Sequence, residues 1–370
     1  MFSGLEAYTL VWQLARGGIV FDEGEVPKET LAAIGPGQSA EISIEPKNHA
    51  DKENSADSKE TIDSAVTITF TWHHAKPCSW AEHGYEQAFD QFALNTKFTP
   101  NFISQERRST EGNSKIIAMC KLIDRLQPNL WRAMTDNDIG YANFARFLRP
   151  FVNGAKWQKA AEKQRMVRRV ENAENGTHYI HTEWKHPLCR ALIIDYTINP
   201  DGTLLLKMHV TPKKTELVRV GIQLTLDEKF DEVEWYGRGP HECYPDRKTS
   251  ARYGLYRCSV DELEHKYLRP QENGARCDVS RLAIKSRNGD AITVHDAGNA
   301  GLLFSAHHYG QETLDRATHI HTLEKEALTM LYIDSAMCGV GGDIPGIAAL
   351  HEAYRLKADK TYTLDIVVNS

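Results

Sequence analysis

The stretch ALIIDYTINPDGTLLLKMHV, residues 191–210, joins two strand-like runs through a turn. Both runs are apolar or β-branched at most positions, as strands commonly are, and the Asn, Pro, Asp and Gly residues between them favour a turn. Runs of the same kind, separated by similar turn residues, occur at 85–94, 217–226, 291–297, 301–309, 329–337 and 362–368. The sequence therefore predicts an all-β fold.

Two runs near the N-terminus alternate between apolar and other residues: AYTLVWQL (7–14) and AVTITFTW (65–72). A period of two predicts strands with one buried face. Between these runs, residues 45–64 are polar, charged and free of aromatic side chains. Such a segment cannot bury enough apolar surface to offset its ordering entropy, so we expect a solvated loop.

The chain is long enough for about two domains. We predict a small β-sandwich over residues 1–96, a connector over 97–127 and a larger, many-stranded sandwich over 128–370. One helix is predicted in GAKWQKAAEKQRMVRRVENA (154–173), and the second half of 105–126 is a further candidate for a helix.

The composition argues against several classes of function. The formal net charge is −6, without the basic surface that a nucleic-acid binder needs, and no apolar stretch is long enough to span a membrane. The seven cysteines form no Cys-x-x-Cys pair, which argues against a zinc knuckle and a disulfide framework. The N-terminus lacks the features of a signal peptide. We expect a cytoplasmic protein with reduced thiols.

Pairs of histidines raise the question of a metal site. They stand at 178 and 181, at 307 and 308, and at 319 and 321; on a strand, the last two would share one face. Zinc needs a third ligand and usually a fourth, and no cysteine or carboxylate stands at a suitable spacing. We therefore expect surface or interface histidines and no metal on this chain.

Four segments are specific when they are taken together. They are WRAMTDNDIG (131–140), VEWYGRGPHECYPDRKTSARYGLY (233–256), RPQENGARCDVSRLAI (269–284) and MCGVGGD (337–343). Their order and spacing resemble the C-terminal part, or small subunit, of β-galactosidases of glycoside hydrolase family two. The N-terminal region resembles the immunoglobulin-like domain that precedes this part in the family.

The resemblance implies a fold and a role. The fold is a truncated immunoglobulin-like sandwich followed by a large antiparallel super-sandwich like that of galactose mutarotase. In the family, two glutamates on a barrel domain hydrolyse terminal β-D-galactosides with retention, and that barrel is absent here. The chain is thus expected to complete the active site of a barrel-bearing large subunit, to carry no catalytic residue and no cofactor, and to be inactive alone. Mg²⁺ and Na⁺ are expected on the barrel.

The resemblance also implies which residues lie at the substrate pocket. In the first motif, Trp131 is expected to pack beneath the loop and Arg132 to pair with a carboxylate. Three interpretations of its acidic run remain: bracing of its own loop, contact with substrate or the catalytic domain, and metal ligation. The family places this loop at the pocket, so the expected pocket rim comprises Arg132, Asp136, Asn137, Asp138, Gly140, Asp343 and Gly346.

Two departures from the family pattern concern this pocket and its support. Gly346 stands where many relatives have an aromatic residue that stacks on the sugar, and Cys243 stands where asparagine is usual. The second and third motifs are expected to form structural loops. Asp246 and Arg247 are adjacent in sequence, but each is expected to pair with a different partner. The residues expected to hold these loops are Arg238, His241, Glu242, Asp246, Arg247, Glu272 and Asn273.

Two other functions fit the same sequence. One is a non-catalytic carbohydrate-binding or scaffold module, and the other is an enzyme resembling aldose mutarotases, which use a histidine and a glutamate. Because the immunoglobulin-like domain is expected to lack its first strands, an unpaired sheet edge would remain at the N-terminus. That edge predicts an oligomer or dependence on a partner.

Overall fold

The structure is a computed structural model that describes residues 4–47, 66–95, 112–143, 145–298, 300–342 and 350–370. The chain forms two compact units, one of residues 1–102 with 253–255 and the other of 103–252 with 256–370. Nearly all of the loop predicted over 45–64 lies outside the described residues.

The smaller unit contains one four-stranded antiparallel sheet in the order β2-β1-β3-β4. Alternate residues of β1, Leu10, Trp12 and Leu14, are buried, as the period of two predicts. Strand β1 pairs with β2 on one side and with β3 on the other. It is therefore not the unpaired sheet edge that the sequence led us to expect at the N-terminus. A second sheet, which a sandwich requires, is not among the described residues. The elements are β1 (Tyr8–Arg16), β2 (Ile19–Glu25), α1 (Lys28–Ala32), β3 (Val66–His74) and β4 (Glu86–Asn95).

The larger unit contains a five-stranded and a nine-stranded sheet. Their orders are β13-β16-β17-β10-β5 and β12-β11-β14-β15-β18-β9-β8-β7-β6. The strands are β5 (Leu126–Asn129), β6 (Arg165–Glu174), β7 (Thr177–Lys185), β8 (Cys189–Ile198), β9 (Leu204–Pro212), β10 (Arg219–Asp227), β11 (Phe230–Gly239), β12 (Arg252–Ser259), β13 (Arg276–Val279), β14 (Arg281–Ser286), β15 (Ala291–Asp296), β16 (Leu302–His307), β17 (Leu328–Met337) and β18 (Tyr362–Asn369).

The stretch 191–210 forms the hairpin of β8 and β9. In its turn, the Gly202 backbone N–H donates to the Asn199 carbonyl at 2.9 Å, and Gly202 has a φ of 90°, which favours glycine. Alternate residues of both strands enter one hydrophobic core, which also receives side chains from β10, β16 and β17. Two antiparallel sheets thus share a core, which confirms the all-β prediction.

Among its described residues, the larger unit has five short α-helices: α2 (Gly112–Ile123), α3 (Asp136–Ile139), α4 (Asn153–Ala161), α5 (Val260–Leu263) and α6 (Gln311–Arg316). Five 3₁₀ segments complete the described chain: Leu5–Ala7, Gly140–Asn143, Arg146–Phe151, Ile320–Thr322 and Glu352–Tyr354. Across the described ranges, no helix is long and apolar enough to cross a membrane.

Two sequence predictions about helices need correction or refinement. The helix predicted over 154–173 ends at Ala161, and its second half belongs to β6. The region 97–127 was predicted as a connector, but its described part, 112–127, forms α2 and the start of β5. Met119 and Ile123 of α2 are buried in the main core, so this part belongs to the larger unit.

Candidate functional site

The acidic run of the first motif begins α3. The Thr135 side chain accepts a hydrogen bond from the Asp138 backbone N–H at 3.1 Å, and the Asp138 carboxylate accepts one from the Thr135 backbone N–H at 3.0 Å. This reciprocal capping box satisfies two backbone donors at the start of the helix. The helix ends at Gly140, whose φ of 49° favours glycine. Asp138 therefore braces its own loop.

Arg132 connects this loop to the fourth motif. Its guanidinium is fully buried and donates to both Asp138 carboxylate oxygens, at 3.0 and 3.3 Å. It also donates to the carbonyls of Cys338 and Gly339, at 2.8 Å each. The prediction that Arg132 pairs with a carboxylate is confirmed. Burial lowers the pKa of Arg132, but the negative charge and hydrogen bonds of Asp138 raise it by more, so the pKa lies above its usual value.

The segment 338–342, here called the glycine-rich loop, is held from two further sides. The Asn137 side chain donates to the Val340 carbonyl at 2.9 Å. The Asp246 carboxylate accepts from the backbone N–H groups of Val340, at 2.9 Å, and Gly341, at 2.7 Å. A Cβ at position 339 would lie 2.5 Å from an Asp246 oxygen, so the carboxylate approaches the backbone at a glycine.

Asp136 contacts the third motif. Its carboxylate accepts from Arg269 at 3.0 Å and from the Gln271 side chain at 3.2 Å. The Gln271 side chain also accepts from the Asp136 backbone N–H at 2.9 Å. All three members of the acidic run thus have protein partners, and two of them reach other motifs.

Arg238 organises the strand end of the second motif. It donates to Asp278 at 2.5 Å and to the Ala251 carbonyl at 2.9 Å. Lys248 also pairs with Asp278, at 2.8 Å. Nearby, a His241 ring nitrogen lies 3.0 Å from the Ser250 hydroxyl. These contacts tie the loop after β11 to the sheet.

Glu242 is the buried acceptor of the same motif. It accepts hydrogen bonds from Arg247, from the Tyr267 hydroxyl and from the Gly274 backbone N–H. Burial raises the pKa of Glu242, but these three donors outweigh burial and the net pKa is lowered. Asp246 and Arg247 thus pair with different partners, as predicted. Neighbouring Cys243 is buried, and its sulfur accepts from the Cys277 backbone N–H at 3.1 Å.

Glu272 belongs to a buried charge cluster in which two members escaped prediction. Arg219 lies 3.0 Å from Glu272 and 3.2 Å from Asp334, and all three are buried. Burial raises the pKa of Asp334 to about 7 against the opposing effect of Arg219. Asn273 completes the turn by accepting from the His265 backbone N–H at 3.2 Å. The available signal was a single charged residue within each of two apolar runs of sequence, 217–226 and 329–337.

Of the predicted site residues, Arg132, Asn137 and Asp246 contact the glycine-rich loop. Asp343 and Gly346 lie outside the described residues. No group of three or more metal-ligating side chains occurs among the residues described. His319 precedes the 3₁₀ segment Ile320–Thr322 and His321 lies within it, so neither is on a strand, and their rings lie 5.4 Å apart. His307 is buried and contacts the Asn273 carbonyl at 3.2 Å.

Comparison with known families gives the decisive observation. The family described as "Beta galactosidase small chain" matches residues 104–368, and "Beta-galactosidase, domain 4" matches residues 1–95. The chain belongs to the β-galactosidase small-chain family. Around its glycine-rich loop, this small-chain member keeps a connected set of buried polar contacts.

The small-chain match is supported by curated relatives named β-galactosidase. The protein from Priestia megaterium is 27% identical over 98% of this chain, and the one from Pseudoalteromonas haloplanktis is 26% identical over 97%. In both cases the chain spans 36% of the relative's length. A galactose mutarotase-like protein from Lactobacillus casei covers 54% of this chain and 72% of its own, at 12% identity and a TM-score of 0.33, which is too low to support an argument.

Proposed function

We propose that this chain completes the active site of a β-galactosidase, as its small subunit or C-terminal part. The substrate class is terminal β-D-galactosides such as lactose. A barrel-bearing partner supplies the two catalytic glutamates and the sites for Mg²⁺ and Na⁺. The observation that carries the proposal is the small-chain family match over residues 104–368. Relatives named β-galactosidase are nearly three times longer, which leaves room in them for a catalytic barrel.

The geometry around the glycine-rich loop supports a wall-forming role. Carbonyls at 338, 339 and 340 and N–H groups at 340 and 341 are bonded to Arg132, Asn137 and Asp246. A loop held at so many points loses little entropy when substrate binds, because its conformation is already restricted. We propose that Asp136, Asn137 and Asp138 shape the pocket rim indirectly, by holding this loop and its neighbours.

Exposed apolar side chains near the first and third motifs support a partner. Phe147 is 75% exposed, Phe151 is 72% exposed and Leu268 is 91% exposed. Leu268 directly precedes Arg269, which contacts Asp136. Phe147 and Phe151 are only four positions apart in the chain, and exposed apolar side chains that cluster commonly mark a protein interface. The proposed occupant is the catalytic barrel.

The test is complementation. The purified chain is mixed with a large subunit that carries the barrel, and hydrolysis of a chromogenic β-galactoside is measured. We expect a large gain in rate over either protein alone. The double variant Phe147→Ser/Phe151→Ser should weaken the gain, whereas Leu205→Ser, which removes an exposed leucine on β9, should preserve it. No gain with a large subunit that accepts its own small subunit would contradict the proposal.

The mutarotase alternative has its own test. Polarimetry follows the exchange of galactose anomers with the isolated chain present. A rate equal to that of buffer would eliminate this alternative and leave the proposed function unaffected.

A further inference from the structure

A polar cleft of about 540 Å³ lies in the larger unit, beside β5, α4 and α6. Its volume falls in the range of pockets that hold small molecules. Buried Asn129 and Trp131 lie on its inner side, and exposed Gln127, Glu162 and Arg316 lie at its rim. The cleft is therefore a formed concave site with many polar groups.

Two glutamines present unpaired amides to this cleft. Gln127 of β5 lies directly opposite Gln223 of β10 in the antiparallel ladder, so both side chains project from the same face of the sheet. Neither side-chain amide makes a hydrogen bond to another described residue, and the same holds for the Arg316 guanidinium. These groups are available to a ligand without breaking any contact in the described protein.

The opposite side of the cleft is fixed in position. Asp315 is buried and accepts from the Gln158 side chain at 3.0 Å and from Arg149 at 3.4 Å. It also accepts from the Met134 backbone N–H at 2.9 Å, which connects the cleft to the first motif. A ligand that enters here thus meets polar groups whose arrangement exists before binding.

The balance of charge indicates the class of ligand. Two arginines, Arg149 and Arg316, line the cleft together with three carboxyl groups, Glu162, Glu312 and Asp315. The net formal charge of −1 disfavours an anionic ligand and is too small to select strongly for a cation. Each amide offers both a donor and an acceptor, as does each hydroxyl of a sugar. We infer that this cleft is a non-catalytic binding site for a neutral mono- or disaccharide, held chiefly by Gln127 and Gln223.

This site does not depend on the proposed function, because all its residues belong to this chain and no catalytic partner is needed. The test is ligand-observed NMR with the full chain and D-galactose, lactose or inorganic sulfate. The variants are Gln127→Ala/Gln223→Ala and the milder Gln127→Ala, whose position is at the rim. Asn172→Ala removes an exposed amide on β6, outside the cleft, as the matched control.

We expect the chain to bind at least one of the two sugars. The double variant should weaken binding by about tenfold or more, because the ligand loses two hydrogen-bonding partners. Gln127→Ala should weaken it less, and Asn172→Ala should leave it unchanged. The inference would be overturned by any of three results: no sugar binds, sulfate binds better than the sugars, or a folded single or double variant binds sugar as well as the wild type. Complementation of a large subunit is scored separately, so failure of one proposal is distinguishable from failure of the other.

Discussion

The Asp246 carboxylate lies 2.7 Å from the backbone nitrogen of Gly341, a residue 95 positions further along the chain. With the second bond to Val340, it anchors the glycine-rich loop to the loop after β11. Both hydrogen bonds have a charged acceptor, which makes them stronger than neutral ones. The order of the glycine-rich loop at Val340 and Gly341 should therefore depend in part on this side chain.

The first prediction concerns that anchor. Asp246→Ala should speed hydrogen exchange at the Val340 and Gly341 amides and cost about 1–3 kcal/mol in the free energy of unfolding, because two partly buried donors lose their acceptor. Hydrogen-exchange mass spectrometry and denaturant titration measure these effects. Asp261→Ala, which breaks an exposed pair with Lys325, is the control. Unchanged exchange at 340 and 341 would contradict the role of Asp246 in protecting these two amides.

The second prediction concerns Arg132. Arg132→Lys keeps the positive charge but cannot reproduce four hydrogen bonds from a planar guanidinium. We expect a loss of about 2–4 kcal/mol in unfolding free energy, since buried carbonyls lose donors. In the reconstituted complex, this variant should also raise the KM for galactosides. As a control, Arg168→Lys on exposed β6 should leave the unfolding free energy and the KM nearly unchanged. If Arg132→Lys were as stable as the wild type, the buried hydrogen bonds of Arg132 would not stabilise the fold as proposed.

The third prediction concerns the buried cluster of Arg219, Glu272 and Asp334. Arg219→Met should destabilise the larger unit by about 3–5 kcal/mol, because two buried carboxyl groups lose their cation. Adding Asp334→Asn to Arg219→Met should restore part of that loss, since one of these carboxyl groups is then neutral. A double-mutant cycle by chemical denaturation measures the coupling. Strict additivity of the two changes would contradict the pairing.

The fourth prediction is a pH dependence. Burial lowers the pKa of His307 to about 4, below the usual value of about 6.5. The folded protein therefore holds His307 neutral, and its contribution is intact above the unfolded pKa and is lost as pH falls from about 6.5 to 4. The loss approaches about 3 kcal/mol at full protonation.

His307→Gln removes the titration while keeping a donor for the Asn273 carbonyl. Unfolding free energy measured from pH 7 to pH 4 should fall less steeply in this variant than in the wild type. Identical slopes would mean that His307 titrates normally in the folded protein.

The strands could be predicted where burial on one face left a trace in the sequence. Leu192, Ile194, Tyr196 and Ile198 are buried in alternation along β8. Strand β6 could not be predicted in this way, because it is the last strand of its sheet and nearly all its residues are exposed. Its charged residues therefore carry no period of two and gave the appearance of a helix.

The candidate site was predictable in part for a similar reason. Arg132 and Asp138 are six positions apart, so a short loop suffices to pair them. The contacts of Asp246 with the glycine-rich loop and of Arg219 with Glu272 join segments that are far apart in the sequence, and only the tertiary fold brings them together. Residue type marked these positions as important, but it could not identify their partners.

We propose that this chain supplies walls of a galactosidase active site while the acid/base and nucleophile belong to a partner. The most direct measurement is the initial rate of chromogenic β-galactoside hydrolysis by the purified chain alone and after addition of a barrel-bearing large subunit. We expect a rate equal to buffer for the chain alone and a clear gain with the partner. Sustained hydrolysis by the isolated chain, free of any contaminating galactosidase, would contradict it.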